Sequence, residues 1–172
     1  VTWTHLSEHL HCWTDTCNVY CITDGDRGLL IDAGSGVVVD HLDELGIKQI
    51  DWVLHTHHHR DQCWGTHRVQ DIGAKVAVPE HERYLFENAE LFWRHKRVYD
   101  NYNDRSTFFT VGTNIRVDAE LLDYETFKWR DINLDIVPAK GHTHGSSMFV
   151  GEIDGCKVAF TGDLMQAGGV LY

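Results

Sequence analysis

Proline is scarce in this sequence, with two among 172 residues, and no apolar run reaches the roughly 18 residues that span a bilayer. The N-terminal residues also lack the pattern of a secretory signal peptide. Cysteine occurs five times, an odd number, and no two cysteines form a C-x-x-C pair. A disulfide framework is therefore not expected, and these absences together predict a cytoplasmic protein without a membrane-spanning segment.

Positive charge is also in short supply, with 15 Lys and Arg against 26 Asp and Glu and a formal net charge of -11. This balance repels a nucleic-acid backbone, and the densest basic stretch, residues 94–97, is interpreted as the solvated face of a helix. We therefore expect a small-molecule substrate and no nucleic-acid partner, whereas the oligomeric state is left open. Histidine, in contrast, is abundant at 13 residues, and an acidic chain rich in histidine suits a cation such as zinc.

Hydrophobic residues make up 42% of the chain, and no internal repeat is visible, so a single domain over residues 1–172 is expected. The apolar pattern predicts strands at residues 18–23, 29–31, 52–54, 75–78, 134–137, 147–150 and 157–161. It predicts helices at residues 37–45, at residues 65–72 and, opened by Pro79, from residue 80 to about 100. Strands interleaved with helices and followed by more strands indicate a mixed α/β layered domain.

The strongest functional motif is His57-x-His59-x-Asp61, which closely follows the apolar strand predicted at residues 52–54. Alternate residues of an extended chain project to the same side, so this spacing lets two imidazoles and a carboxylate converge. Imidazole nitrogen and carboxylate oxygen are ligands that zinc prefers. Polar loops rarely carry this spacing after an apolar strand, and we therefore predict a metal site here.

Two further motifs also follow apolar strands. His142 lies in segment 141–146, where glycines let the backbone turn sharply and present the imidazole. Asp163 ends the segment 160–163, just past the last predicted strand. Taken alone, a turn histidine is often a surface residue and a strand-end carboxylate often a turn residue. Together with the first motif, however, both offer zinc-type ligands at strand ends, where functional groups gather in α/β sheets.

In these motifs the chain resembles the metallo-β-lactamase superfamily. The family's T-H-x-H-x-D-H motif is matched by residues 56–61 in all but its last position, its G-H-T-x-G turn by residues 141–145, and its F-T-G-D segment by residues 160–163. Asp32 matches the family's strand-end aspartate before a turn of small residues. The resemblance covers about residues 17–167. It implies an α/β fold, the αββα sandwich, of which this sequence would contain the N-terminal and central part.

The resemblance also implies the roles of individual residues. His57, His59 and His142 would bind one metal ion, Asp61 would bind a second and orient the nucleophile as a catalytic residue, and Asp163 would bridge the two. The expected cofactor is zinc, one or two ions. Zinc lowers the pKa of bound water toward about 7 and polarises carbonyl or phosphoryl oxygen. The implied function is a metal-dependent hydrolase that uses a zinc-bound hydroxide on an ester, thioester, lactone or phosphoester.

The sequence departs from the family pattern at two places. Gln62 stands where the family motif ends in histidine, and an amide oxygen is a poorer zinc ligand than imidazole, so we expect Gln62 to be a weak ligand of a weakened second site. The family usually continues with a further half that supplies one more ligand histidine, whereas this sequence ends at Tyr172. We therefore interpret the sequence as truncated at its C-terminus.

Four more polar residues are expected to support the ligands or to face the substrate: His55, His58, His144 and Asp32. Two other functions stay open. A mononuclear non-haem iron dioxygenase resembling the persulfide dioxygenases would use His57, His142 and Asp163 as a triad, with iron as the cofactor. A degenerate metal-binding or interaction module is suggested by Gln62, although the intact remaining ligands argue against it.

Overall fold

The computed structural model of the chain describes residues 2–95 and 109–165 and contains two β-sheets. The larger sheet has seven strands, in the order β1 (Thr4–His5), β2 (Leu10–Thr14), β3 (Asn18–Asp24), β4 (Arg27–Ile31), β5 (Gln49–Leu54), β6 (Lys75–Pro79) and β7 (Ala119–Leu121). The smaller sheet has the order β11 (Cys156–Phe160), β10 (Ser147–Ile153), β9 (Ile132–Pro138) and β8 (Thr126–Trp129). The helices are α1 (Arg60–Cys63), α2 (Thr66–Asp71), α3 (Arg83–Glu87), α4 (Ala89–Arg94) and two 3₁₀ helices, Val37–Leu45 and Gly162–Leu164.

The larger sheet changes from antiparallel to parallel at β4. Strands β1 to β4 pair as antiparallel neighbours, and β3 and β4 are joined by a tight turn in which Gly25 has a φ of 60°. Strands β4 to β7 are parallel, which requires crossover connections such as the helical segments after β4, β5 and β6. As a result, the carboxyl ends of β4, β5 and β6 lie along one edge of the sheet, the usual position for functional groups in such folds.

Strands β2 to β6 of the larger sheet contribute to two separate cores because their side chains alternate between two faces. In β4, Leu29 and Ile31 face the smaller sheet, where they pack with Phe149 of β10, whereas Leu30 faces the helices and packs with Phe86 of α3. All five side chains are at most 1% exposed. Burying each contributes about 1.5–3 kcal/mol, and the two cores hold three layers together.

The predicted α/β fold class is confirmed, and three of the four layers of the αββα sandwich are present in residues 2–95 and 109–165. Each helix up to α4 contributes at least one buried residue to the core on one face of the larger sheet: Val38, Leu42, Cys63, Val69, Phe86 and Ala89. In these same ranges no helix covers the outer face of the smaller sheet. No helix of the described chain is both long and apolar enough to cross a membrane.

Three sequence-based predictions of local structure were wrong. The prediction at residues 37–45 was wrong only in helix type: the expected helix is present with those bounds and buries Val38 and Leu42, but it is a 3₁₀ helix, bounded by Gly36 and Gly46 with φ of 82° and 73°. Pro79 does not open a helix but is the last residue of β6, where it pairs with Leu121 of β7. The pairing of β6 with β5 ends at Ala77, so a proline, which has no amide hydrogen, is tolerated at this position. The long helix expected from residue 80 is two short helices separated at Asn88, and residues 96–100 of that prediction lie outside the described ranges.

A contact between two glycines fixes the segment after β5 against the segment after β4. A Cβ atom on Gly65 would lie 2.0 Å from the backbone nitrogen of Gly36, so neither position has room for a side chain. Around this contact, the backbone N–H groups of Ala33 and Gly34 donate to the carbonyl of Gln62 at 2.8 and 3.0 Å. The turn after β4 and the helix α1 are thereby held as one unit beneath the functional loops.

Candidate metal centre

Three loops meet at the carboxyl edge of the parallel strands. The first, residues 55–59, leaves β5; the second, residues 139–146, joins β9 to β10; the third, residues 161–163, leaves β11. Backbone hydrogen bonds tie the first loop on both sides, from His55 N to the carbonyl of Ala77 and from Ser147 N to the carbonyl of Thr56, each at 2.9 Å. The two sheets therefore bring together segments more than 80 residues apart in the sequence.

The imidazoles of His57, His59 and His142 converge at this junction. One ring nitrogen of each lies within 4.8 Å of those of the other two, and the ring centroids are 4.6–5.0 Å apart. Nδ1 of His59 and Nε2 of His142 are 2.9 Å apart. His57 is 1% exposed, and its Nε2 atom has no hydrogen-bond partner within the described chain. A buried polar atom without a partner is unusual and calls for an explanation such as an ion.

A chain of hydrogen bonds from Asp32 fixes the tautomer of His57. The Thr56 hydroxyl donates to Oδ2 of Asp32 at 2.8 Å, so its oxygen is available to accept from Nδ1 of His57, 3.0 Å away. With the proton on Nδ1, the lone pair of His57 is on Nε2 and faces the other two imidazoles. Burial, reinforced by the neighbouring imidazoles, lowers the pKa of His57 well below its usual value. His57 is thus a neutral imidazole ready to act as a ligand.

Asp163 adds a carboxylate to the three imidazoles. Its Oδ2 atom lies 3.5 Å from Nε2 of His142 and 3.9 Å from Nε2 of His57. Burial and then the negative charge of Asp61 raise the pKa of Asp163 above its usual value. A cation bound among these residues would offset both effects.

Gln62 and Asp61 lie beside this group. Gln62 is 2% exposed, and its side-chain N–H donates to Oδ1 of Asp163 at 3.0 Å. In this orientation Gln62 offers a hydrogen-bond donor, rather than its oxygen, to the carboxylate. Asp61 is half-buried, lies outside the group of converging nitrogens, and accepts at its backbone carbonyl from the Thr16 hydroxyl at 2.6 Å.

Of the four residues expected to support the ligands or to face the substrate, three are buried. His55 is 0% exposed and lies between Oδ1 of Asp32, at 3.2 Å, and the hydroxyl of Thr66, at 2.9 Å. Asp32 also accepts from the backbone N–H of Thr56 at 2.9 Å, which its left-handed φ of 60° allows. Burial excludes His55 from substrate contact, so its contacts fit a supporting position. His144, in contrast, has an exposed side chain on the turn that carries His142.

His58 has a partner that the sequence did not suggest. Its ring, 1% exposed, points to the buried carboxylate of Glu82, with Nδ1 2.8 Å from Oε2. Burial disfavours ionisation of Glu82, but hydrogen bonds and the charge of His58 hold the pKa of Glu82 below its usual value. Glu82 follows the end of β6, the third of the parallel strand ends, and that position is the one sequence signal that could have indicated it. The hydroxyl of Thr56 was missed as well.

Two cavities open beside the converging histidines and share Thr16, Asp61 and Asp163 in their walls. The larger, about 960 Å³, reaches His59 and His142 and has exposed aromatic residues, Trp64 and Phe109, at its rim. The smaller, about 560 Å³, is bordered by polar residues. The histidine group therefore lies at the base of an open cleft that reacting molecules can enter.

The fold and this site define an α/β protein of the layered-sheet type with a histidine-rich candidate metal site. The sequence model of the metallo-β-lactamase superfamily matches residues 13–171. The chain belongs to the metallo-β-lactamase superfamily, as its motifs predicted. The three imidazoles and the nearby carboxylates fit a zinc-type cation, as does the buried Nε2 atom of His57, which has no hydrogen-bond partner among the described residues.

Two curated proteins are similar in sequence. A hydroxyacylglutathione hydrolase of Aeromonas salmonicida is 27% identical over 153 residues, which cover 88% of this chain and 47% of that protein. A protein of Methanocaldococcus jannaschii described as a probable metallo-hydrolase is 26% identical over 159 residues, covering 89% and 69%. The chain thus spans about half the length of the first relative.

Two solved structures illustrate the shared fold. A metallo-β-lactamase of Cronobacter sakazakii with an HARLDQ motif has a TM-score of 0.75 at 17% identity, covering 93% of this chain and 64% of that one. The FEZ-1 metallo-β-lactamase of Legionella gormanii has a TM-score of 0.76 at 21% identity, covering 99% and 66%. At these identities the likeness establishes the fold alone.

Proposed function

We propose that this chain carries the metal centre of a zinc-dependent hydrolase that cleaves an ester or thioester. The observation that carries the proposal is the buried Nε2 atom of His57, which lacks a hydrogen-bond partner in residues 2–95 and 109–165 and faces His59 and His142. Three imidazoles with a remaining open position are the usual protein ligands of a catalytic zinc ion. When bound, zinc would supply an acidified water and a Lewis acid for the carbonyl oxygen.

The remaining roles follow from the positions of the chain's own residues. His57, His59 and His142 would hold the ion, and Asp163, within 3.9 Å of two of them, would add a carboxylate oxygen. Asp61 lines both cavities, so its carboxylate is placed to accept a proton from the attacking water and to orient it. Gln62 offers an N–H where the family has an imidazole, which supports one tight metal ion and a weaker second site.

The cleft supports an acyl substrate with an apolar part. Its volume of about 960 Å³ lies at the upper end of the range for small-molecule sites. Trp64 and Phe109 present apolar surface in this cleft, which suits the apolar part of an acyl substrate. The similar Aeromonas protein carries the name hydroxyacylglutathione hydrolase, which supports an ester or thioester substrate.

The test begins with elemental analysis of purified protein and continues with hydrolysis of ester, thioester, lactone and phosphoester probes by the zinc-loaded chain. Asp61→Asn should lower kcat by about 100-fold or more, since a general base typically contributes that much. Asp131→Asn, an exposed carboxylate in the β8–β9 turn, is the matched control and should leave kcat unchanged. Asp61→Asn activity within twofold of the parent chain would refute the role of Asp61.

An iron dioxygenase is the second candidate, supported by the carboxylate of Asp163 near His57 and His142. Two histidines and one carboxylate form the facial triad that suits non-haem iron. The same elemental analysis separates the two candidates. One iron per chain without zinc would favour the oxygenase, whereas one or two zinc ions favour the hydrolase.

A further inference from the structure

A single buried carboxylate connects the two loops that carry the histidines. Glu82 is 2% exposed and lies in the turn between β6 and α3. Its Oε2 atom accepts from the backbone N–H of His58 and lies 2.8 Å from Nδ1 of the same residue. Its Oε1 atom accepts from the hydroxyl of Thr143 and, at 3.1 Å, from the backbone N–H of Gly145.

The two carboxylate oxygens of Glu82 contact different loops. Oε2 accepts from the loop of His57 and His59, through the residue between them, and Oε1 accepts from the turn that follows His142. The distance between the two oxygens of a carboxylate is fixed by covalent geometry. Glu82 therefore sets the spacing of the two loops, and with it the spacing of the imidazoles.

The local packing shows that this approach is tight. A Cβ atom on Gly145 would lie 2.6 Å from Cγ of Glu82 and 2.8 Å from Cβ of His81. The turn can reach the carboxylate only because residue 145 is glycine. Hydrogen bonds to an ionised acceptor are also stronger and more directional than those between neutral groups.

We propose that Glu82 is a positioning residue for the metal centre, which sets metal affinity by holding His142 at ligand distance from His57 and His59. The proposal rests on the proposed function, because it requires that these histidines bind a metal. Glu82 itself is buried under the loops and touches neither cavity wall, so it acts through its partners. Partners of this kind typically change metal affinity by about 10–100-fold when they are removed.

The direct test is zinc affinity of the parent chain and Glu82→Gln, measured by competition with a chromophoric chelator. Glutamine keeps the size of glutamate but replaces one acceptor oxygen with an NH₂ group, so the bonds to one loop are lost. We expect zinc to bind about 10–100-fold more weakly. The visible spectrum of the cobalt-substituted chain should also change, because the ligand geometry changes.

Two variants of Thr143 test the contact between Glu82 and the turn that follows His142. Thr143→Val removes the hydroxyl that donates to Oε1 at nearly constant volume, whereas Thr143→Ser keeps it. We expect about tenfold weaker zinc binding for the valine variant than for the serine variant.

Asp51→Asn is the control for general destabilisation, since Asp51 binds Arg27 and Trp129 at the far end of β5. It should lower Tm and leave the zinc affinity of the folded chain unchanged.

Each outcome decides a separate question. A folded parent chain that binds no zinc would refute the proposed function. A parent chain that binds zinc, with Glu82→Gln and Thr143→Val both within twofold of it, would overturn the role of Glu82 alone. If Glu82→Gln does not fold, the comparison of the Thr143 variants decides, and equal affinities there would overturn the proposal.

Discussion

The hydroxyl of Thr56 connects the buried carboxylate of Asp32 to His57, and we predict that its removal lowers both stability and zinc affinity. Thr56 is 1% exposed, donates to Asp32 at 2.8 Å and lies 3.0 Å from Nδ1 of His57. Thr56→Val keeps the shape of the side chain but removes this oxygen. Both Oδ2 of Asp32 and the N–H of His57 then lose a partner, and both residues are at most 2% exposed.

The expected loss of stability follows from leaving the Asp32 carboxylate oxygen and the His57 N–H without a partner. Leaving one buried polar group without a partner costs about 1–3 kcal/mol, so Thr56→Val should lower the free energy of unfolding by about 4 kcal/mol. For a chain of this size about 1 kcal/mol corresponds to a change in Tm of about 2–4 °C, which gives a fall of about 8–16 °C. Thr56→Ser keeps the hydroxyl and loses one methyl group, and should cost about 1 kcal/mol.

Two assays check this prediction on the same samples. Thermal unfolding of the metal-free chains gives the stability difference, and chelator competition gives the zinc affinity. We expect zinc to bind about 10–100-fold more weakly to Thr56→Val, because the Nδ1 proton of His57 is no longer fixed by an acceptor. A valine variant as stable as the serine variant, with equal zinc affinity, would show that the chain from Asp32 to His57 does not orient the ligand.

Three further predictions address other parts of the chain. Gly65→Ala should cost about 3 kcal/mol or more, because its Cβ would meet backbone at 2.0 Å, whereas Gly112→Ala, with open space around it, should be near neutral in thermal unfolding. Asp154 raises the pKa of His9, so the Tm deficit of Asp154→Asn should be largest below pH 6.5 and should shrink as pH rises through the raised value; a pH-independent deficit would contradict this. Gln62→His should tighten the binding of a second zinc in titration, and unchanged affinity would mean that residue 62 lies away from that ion.

Much of the fold was predictable because its strands carry strong local patterns. The apolar segments of β5, β9 and β11, each followed by a polar motif, identified three strand ends from sequence alone. The short strands β1, β2, β7 and β8 were missed, and the helix expected after Pro79 was assigned wrongly. Strand β7 depends on a pairing partner distant in the sequence, β6, and a local pattern does not contain that information.

The candidate site was predictable to a similar degree. The spacing of His57 and His59 on an extended segment placed them together, and the structure brings His142 and Asp163 to the same point. Glu82 and Thr56 were not identified, because neither belongs to a spaced motif and both act through contacts made only in the folded chain. The role of Asp61 as a metal ligand stays a prediction, since its carboxylate lies outside the group of converging nitrogens.

The most direct test of the metal centre is the number of zinc ions bound per chain in equilibrium dialysis, compared between the parent protein and His142→Ala. Three converging imidazoles, one with a buried nitrogen lacking a partner, predict one tightly bound zinc ion in the parent and its loss or strong weakening in the variant. A folded parent chain without zinc, or a variant that binds zinc as tightly as the parent, would contradict the assignment of the metal centre to His57, His59 and His142.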